Sequence, residues 1–161
     1  MEERPEMSYL NHSVQIKRPI NEIFTFISDF QNDWKWRSFH IESQKLINNG
    51  EVEIISTSNR FPFLRQKVSG THRIMHYHPN KFISSTIDMG NLIISDTRIV
   101  KYIQFNQTQL EYWIQFKMLG IFKIFSPIVK RELQKKIVKD LEWLKELLEN
   151  ITVSISQSRE Y

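Results

Sequence analysis

Two hydrophobic periods divide the chain. Near the start, Leu10, His12, Val14 and Ile16 alternate with Asn11, Ser13 and Gln15, the period of a strand with one buried face. Pro19 ends that strand, and Ile20, Ile23, Phe24 and Ile27 follow helical spacing, with the proline at the start of the helix, where a missing N–H is tolerated. A short helix or turn is expected over Asp29 to Trp36. Between Phe39 and Met118 apolar runs are broken by Asn48-Asn49-Gly50, Phe61-Pro62, Pro79-Asn80, Gly90-Asn91 and Asn106-Gln107, the punctuation of an antiparallel meander. Its clearest strand sets Leu110, Tyr112, Ile114 and Phe116 against Glu111, Trp113, Gln115 and Lys117, and the first set should face the core. In the strand before it, the set Ile93, Thr97 and Ile99 and the set Ile94, Val100 and Tyr102 both carry apolar residues, so the inward face stays open.

After Gly120 the period becomes helical. Val129, Leu133, Ile137, Leu141, Leu144 and Leu148 form one stripe against a face of Lys, Glu and Asp, the mark of a long amphipathic helix. Ser126-Pro127 reads as an initiation pair, so the helix is expected to begin twice or to kink there. The period is lost after residue 150, and residues 151–161 are expected to be frayed or disordered.

Composition narrows the function classes. A chain of 161 residues with 40% hydrophobic content suits one domain that buries about two-thirds of its unfolded surface. Cysteine is absent, which removes disulfides, thiolate nucleophiles and thiolate metal sites. No apolar run reaches the ~18 residues that span a bilayer, and the first ten residues lack the form of a signal peptide, so a cytoplasmic protein without stable membrane insertion is expected. The net charge of +4 comes from cations spread along the chain. Lys130, Arg131, Lys135, Lys136 and Lys139, interleaved with Glu132 and Asp140, read as a solvated helix face. No zinc-finger spacing, aromatic RNA-binding strand or Gly-rich phosphate loop is present, so neither nucleic acid nor a cofactor is expected.

The order of elements resembles the helix-grip fold of the START and polyketide cyclase/dehydrase (SRPBCC) superfamily. The run His12 to Phe24, with Pro19 between strand and helix, is similar to that family's opening. Asp29-Phe30 followed by Trp36 is similar to its second short helix and the tryptophan that follows. The run His76 to Phe82 resembles its E-Y-x-P-P-x-x-L turn, with His76 where Glu is usual and Asn80 in place of the second Pro. Leu141 to Glu149 is similar to its closing L-x-x-L-K-x-x-L-E. The likeness covers about residues 7–150 and rests on order and spacing.

The resemblance implies an α+β domain over 7–150, with six or seven curved antiparallel strands, two short N-terminal helices and a long C-terminal helix across the concave face. Between sheet and helix it implies a cavity for a lipid-, sterol- or polyketide-like molecule. Trp34, Trp36, Phe61, Phe63, Tyr112, Phe116, Phe122, Phe125, Val129 and Leu133 are the candidate lining, since aromatics offer large area with few rotamers to freeze. Plain core filling is the competing account of each. His72, His76 and His78 share strand parity and could project to one face. His72 is the candidate ligand contact and general acid or base, with a structural histidine as the alternative. His76 and His78 are the weaker metal pair, with Asp88 or Asp96 as possible further ligands, against an exposed strand end. Nucleophilic motifs are missing, and Asp29 reads as a turn cap. Carriage of a small hydrophobic ligand is the leading expectation, by a monomer or homodimer. The alternatives are a cyclase or dehydratase in the same cavity and a protein-partner module, the latter through an apolar patch around Leu119 to Phe125.

Overall fold

The structure, a computed structural model, describes residues 7–38, 40–48, 51–58 and 68–157, with the side chains of 40–48, 51–58, 68–69, 71–72 and 151–157 outside the described set. Seven antiparallel strands form one sheet: β1 (Ser8–Ile16), β2 (His40–Asn48), β3 (Glu51–Ser58), β4 (Val68–His78), β5 (Phe82–Asp88), β6 (Leu92–Gln104) and β7 (Gln107–Met118). Their order is β1-β7-β6-β5-β4-β3-β2. The first strand therefore closes onto the last, and the rest is a meander of hairpins.

The turn chemistry explains several connections. Asn80, Asn106 and Gly90 sit at φ 55°, 53° and 79°, the left-handed region that Gly and Asn tolerate best. Asn48-Asn49-Gly50 and Phe61-Pro62 lie wholly or partly outside the described residues.

Alternation places the core. Leu110, Tyr112, Ile114 and Phe116 are each at most 2% exposed. On β6 the inward set is Leu92, Ile94, Asp96, Arg98 and Val100, while Tyr102, still in register with Thr108 but at the hairpin end of the strand, is 69% exposed.

Helix α1 (Ile20–Ser28) starts directly after Pro19 and buries Ile23, Phe24 and Ile27. A 3-10 helix, Phe30–Lys35, follows, and Asp29 caps it by accepting from Gln31 N. At the other end the chain becomes helical twice, as a second 3-10 helix, Gly120–Phe125, and then as α2 (Ser126–Gln157). Ser126 has φ −51° and ψ −43°, so it is already helical rather than an extended cap. Helix α2 continues past residue 150, where the apolar period ends.

The α2 stripe Val129, Leu133, Ile137, Leu141, Leu144 and Leu148 is buried in the same cluster as Leu10, Val14, Ile16 and the inward β7 residues. Polar ties fasten the helix along its length. Gln134 Nε2 donates to Asn11 O at 3.3 Å, Trp143 Nε1 to Lys35 O at 3.0 Å, Arg18 Nε to Leu148 O at 2.8 Å, and Lys17 N to Glu149 Oε1 at 2.7 Å. The Asp140 carboxylate accepts from Ser38 N at 3.1 Å.

Candidate functional site

The strands and helices bring part of the expected lining together. Tyr112 and Phe116 point inward from β7, Val129 and Leu133 from α2, and Trp36 closes over them from the end of the first 3-10 helix; all are buried in one apolar cluster, with Phe125 packed against it. Trp36 meets Tyr112 edge-on at 5.7 Å and 71°. Trp34 is 52% exposed, because the 3-10 turn sends it outward while Trp36 turns in. Phe122 is half-buried, and Phe61 and Phe63 lie outside the described residues.

A β-bulge separates the three histidines. His72 pairs with Ile87 and Ile74 with Ser85, but the register then skips Met75, so His76 pairs with Ser84 and His78 with Phe82. Ile83, Ser85 and Ile87 form the buried face of β5. The extra residue thus turns His76 and His78 to the face opposite the one that His72 faces in register. Both are exposed, and Asp88 and Asp96 pair instead with Thr71 and Ser85. Among the described residues no group of three metal-ligating side chains forms. The His72 side chain is outside the described set.

The inner face also carries a charged centre that hydropathy alone does not reveal. Asp33, Arg37, Asp96 and Arg98 are each at most 2% exposed. Arg98 crosses from β6 to the 3-10 helix and clamps Asp33 with two bonds, Nη1 to Oδ1 at 2.7 Å and Nη2 to Oδ2 at 2.6 Å. Its Nη1 also donates to Ile27 O at 2.6 Å, while Nε and Nη2 donate to Asp96 Oδ2 at 3.2 and 3.0 Å. These five bonds match the five N–H groups of a guanidinium. Arg37 Nη1 donates to Asp33 Oδ2 at 3.0 Å and lies 3.6 Å from Asp96 Oδ2. Ser85 Oγ and Tyr112 Oη also donate to Asp96, the second at 3.3 Å. Aromatic rings enclose the cations: the Arg98 guanidinium stands 4.4 Å from the Phe30 ring centre and 5.4 Å from that of Trp36.

Electrostatics keeps this arrangement ionised. Burial works against the Arg98 cation, yet Asp33 and Asp96 outweigh it and hold its pKa above the ordinary arginine range. Burial likewise opposes the charge of Arg37, and the carboxylates of Asp33 and Asp96 hold its pKa up. For Tyr112, burial pushes the phenol pKa well up, so its proton stays in place. Two cations and two anions balance, and the network ties α1, the 3-10 helix, β5, β6 and β7 into one unit. Such a network stands or falls as a whole, since any lost partner strands a charge in a low-dielectric interior.

Trp36 Nε1 is buried and has no hydrogen-bond partner among the described residues. A buried N–H without an acceptor costs roughly 1–3 kcal/mol. An oxygen atom supplied from outside the chain would relieve that cost.

Elsewhere, one hollow of about 190 Å³ lies on the outer side among Asn11, Ser13 and Trp113, and one of about 340 Å³ lies between Arg18, Glu22, Asn106 and Glu149. Neither includes a residue of the expected lining.

No protein-family model and no curated protein matches the sequence. Solved structures do match the fold. A START superfamily protein from Mycobacterium smegmatis superposes with a TM-score of 0.68 at 14% identity, over 87% of this chain and 98% of its own. Zhui aromatase/cyclase from Streptomyces sp. R1128 superposes at 0.66 and 11% identity, over 96% of this chain and 98% of its own. The di-domain aromatase/cyclase BexL of the BE-7585A biosynthetic pathway superposes at 0.70 and 15% identity, over 90% of this chain but 47% of its own. The chain thus has the helix-grip architecture of START proteins and aromatase/cyclases.

Proposed function

We propose that the protein binds a small hydrophobic molecule of lipid, sterol or polyketide character between the inner sheet face and α2, with an oxygen of that molecule accepting from Trp36 Nε1. The observation that carries this reading is the buried indole N–H, without a hydrogen-bond partner among the described residues, set in the same apolar cluster as Tyr112, Phe116, Val129 and Leu133. An apolar shell with few polar groups is the usual make-up of a small-molecule site. Phe61, Phe63, His72, Phe122 and Phe125 remain part of the proposed lining, and Trp34, which points outward, does not.

Acid–base catalysis is less well supported. The Asp33 and Asp96 oxygens already accept from two guanidinium groups, and Tyr112 holds its proton. His72 is the residue on which a cyclase or dehydratase activity would depend. Replacing it with Asn should spare folding and abolish any turnover measured on such a substrate.

Native mass spectrometry of the purified protein, followed by solvent extraction, tests the binding reading. One apolar molecule per chain is the expected result. The variant Trp36→Phe keeps most of the ring but loses the N–H, and should weaken binding of an oxygen-bearing ligand roughly two- to tenfold, the worth of one hydrogen bond. Full retention of affinity in that variant, or a protein that neither carries nor takes up any apolar molecule, would sink the proposal.

A further inference from the structure

Immediately before and at the start of α2 the usual order of surface residues is reversed. Ile121 is 78% exposed, Ile124 73% and Ile128 47%. Ile121 and Ile124 are three residues apart in a 3-10 helix, the spacing at which side chains eclipse, so they stand on one side. Ile128 continues the series one helical turn further on. Isolated exposed isoleucines are ordinary, but three in succession at this spacing form a ridge.

The charge of the same segment has one sign. From Tyr112 to Arg131 the chain contains Lys117, Lys123, Lys130 and Arg131 and no acidic residue. Lys123, Lys130 and Arg131 are exposed. Beyond it Glu132 is engaged by Lys135 at 3.2 Å. The neighbouring β5–β6 turn, joined to the segment by Leu119 N donating to Asn91 O at 2.9 Å, adds one carboxylate, Asp88, which accepts from Gly90 N at 2.8 Å. Among the described residues, four cations against one carboxylate leave the ridge positive.

A second apolar group shows that exposure alone is not the signal. Tyr102 and Phe105, at the β6–β7 hairpin, are 69% and 84% exposed. There Lys101 is paired with Glu111 at 2.6 Å, and the adjoining β4–β5 turn, where Lys81 O accepts from Val100 N at 2.8 Å, adds Lys81, so the hairpin has fewer cations beside it than the ridge.

We infer that the ridge Ile121, Ile124 and Ile128, with Lys123, Lys130 and Arg131 beside it, docks the protein reversibly on the surface of an anionic phospholipid bilayer. The isoleucines enter the headgroup and upper acyl region while the cations stay at the phosphate level, the division used by interfacial helices. No described helix is long and apolar enough to cross a membrane, so the docking is peripheral. The inference stands independently of any ligand in the core.

Flotation of the full-length protein with vesicles provides the test, using phosphatidylcholine alone and phosphatidylcholine with about one-third phosphatidylserine. Binding is expected to the anionic vesicles and not to the neutral ones, and should be lost at about 0.5 M salt, where screening is short-ranged. The pair Lys123→Gln and Lys130→Gln should weaken binding about thirtyfold, at the usual contribution of a juxtamembrane lysine. The pair Ile121→Ser and Ile124→Ser should weaken it at least about tenfold, with the circular dichroism spectrum and Tm unchanged. Phe105→Ser, at the hairpin, should bind like the parent. Absence of binding by the folded protein, or equal binding to neutral and anionic vesicles, would overturn the inference. So would self-association abolished by the isoleucine pair without vesicle binding, because the ridge would then be the seat of a second copy of the chain.

Discussion

Charges lie inside this molecule at Asp33, Arg37, Asp96 and Arg98, and isoleucines lie outside it at 121, 124 and 128. Each group breaks the rule that apolar residues go in and charged ones stay out, but they do so with opposite consequences. The buried charges find their complements within the chain. Arg98 uses its five donors on Ile27, Asp33 and Asp96, and the two cations match the two anions. The isoleucines remain exposed, with cations beside them. An inverted region whose charges are matched within the chain is architecture, whereas apolar side chains left exposed beside cations imply a partner.

The largest effect should come from opening the closed group. Asp33→Leu removes the anion clamped by Arg98, and Arg98→Met leaves two buried carboxylates facing the single guanidinium of Arg37; each should cost about 3–5 kcal/mol or prevent folding. The double variant should cost less than the sum of the two, by roughly 1–3 kcal/mol, because the second change removes the charge stranded by the first. Urea denaturation of the four proteins checks this. Strict additivity would mean that Asp33 and Arg98 do not act as a pair.

A smaller effect sharpens the same contrast on neighbouring turns of chain. Leu133 is 2% and Ile137 1% exposed, against 73% for Ile124. Leu133→Ala should lower stability by about 2–5 kcal/mol through lost burial and the cavity left behind. Ile124→Ala should stay within about 0.5 kcal/mol. A large loss at Ile124 in thermal unfolding would show that the ridge is covered by the protein itself.

The legibility of these features in the sequence follows from their contrast. Strand β7 could be read because polar Glu111, Gln115 and Lys117 separate its inward residues, and the α2 stripe because a charged face lies opposite it. Strand β6 could not, because Ile93 and Ile99 make its outward side apolar too. Its inward set contains Asp96 and Arg98, and opposite charges two residues apart on one strand face were the available signal of a cross-linked core. The bulge at Met75 leaves no mark in hydropathy, so the histidines of β4 read as one face although His76 and His78 are on the other. Trp34 and Trp36 could not be ranked by periodicity, since a single 3-10 turn is too short to display a period. Trp36 was therefore expected in the lining without any sign of its unpaired N–H, a property of tertiary packing alone.

The smallest predicted effect concerns the boundary between the two kinds of region, where α2 meets the chain leaving the 3-10 helix. Asp140 is a buried carboxylate that accepts from Ser38 N at 3.1 Å. Burial raises its pKa, and the Ser38 hydrogen bonds and the charges of Arg37 and Lys136 offset this only in part. The raised value fixes the sign: the folded protein holds the Asp140 proton more tightly than the unfolded chain does. This contribution favours folding below the ordinary carboxylate pKa and fades as pH rises through the folded value. Asp140→Asn retains a carbonyl acceptor for Ser38 and cannot ionise. Its Tm relative to the parent should therefore be higher at pH 7 than at pH 3. Subtracting the two melting curves cancels the pH dependence of every other group, which both proteins share. A difference that does not change with pH would show that Asp140 ionises as freely in the folded protein as in the unfolded chain, and that the junction of α2 with Ser38 is open to water.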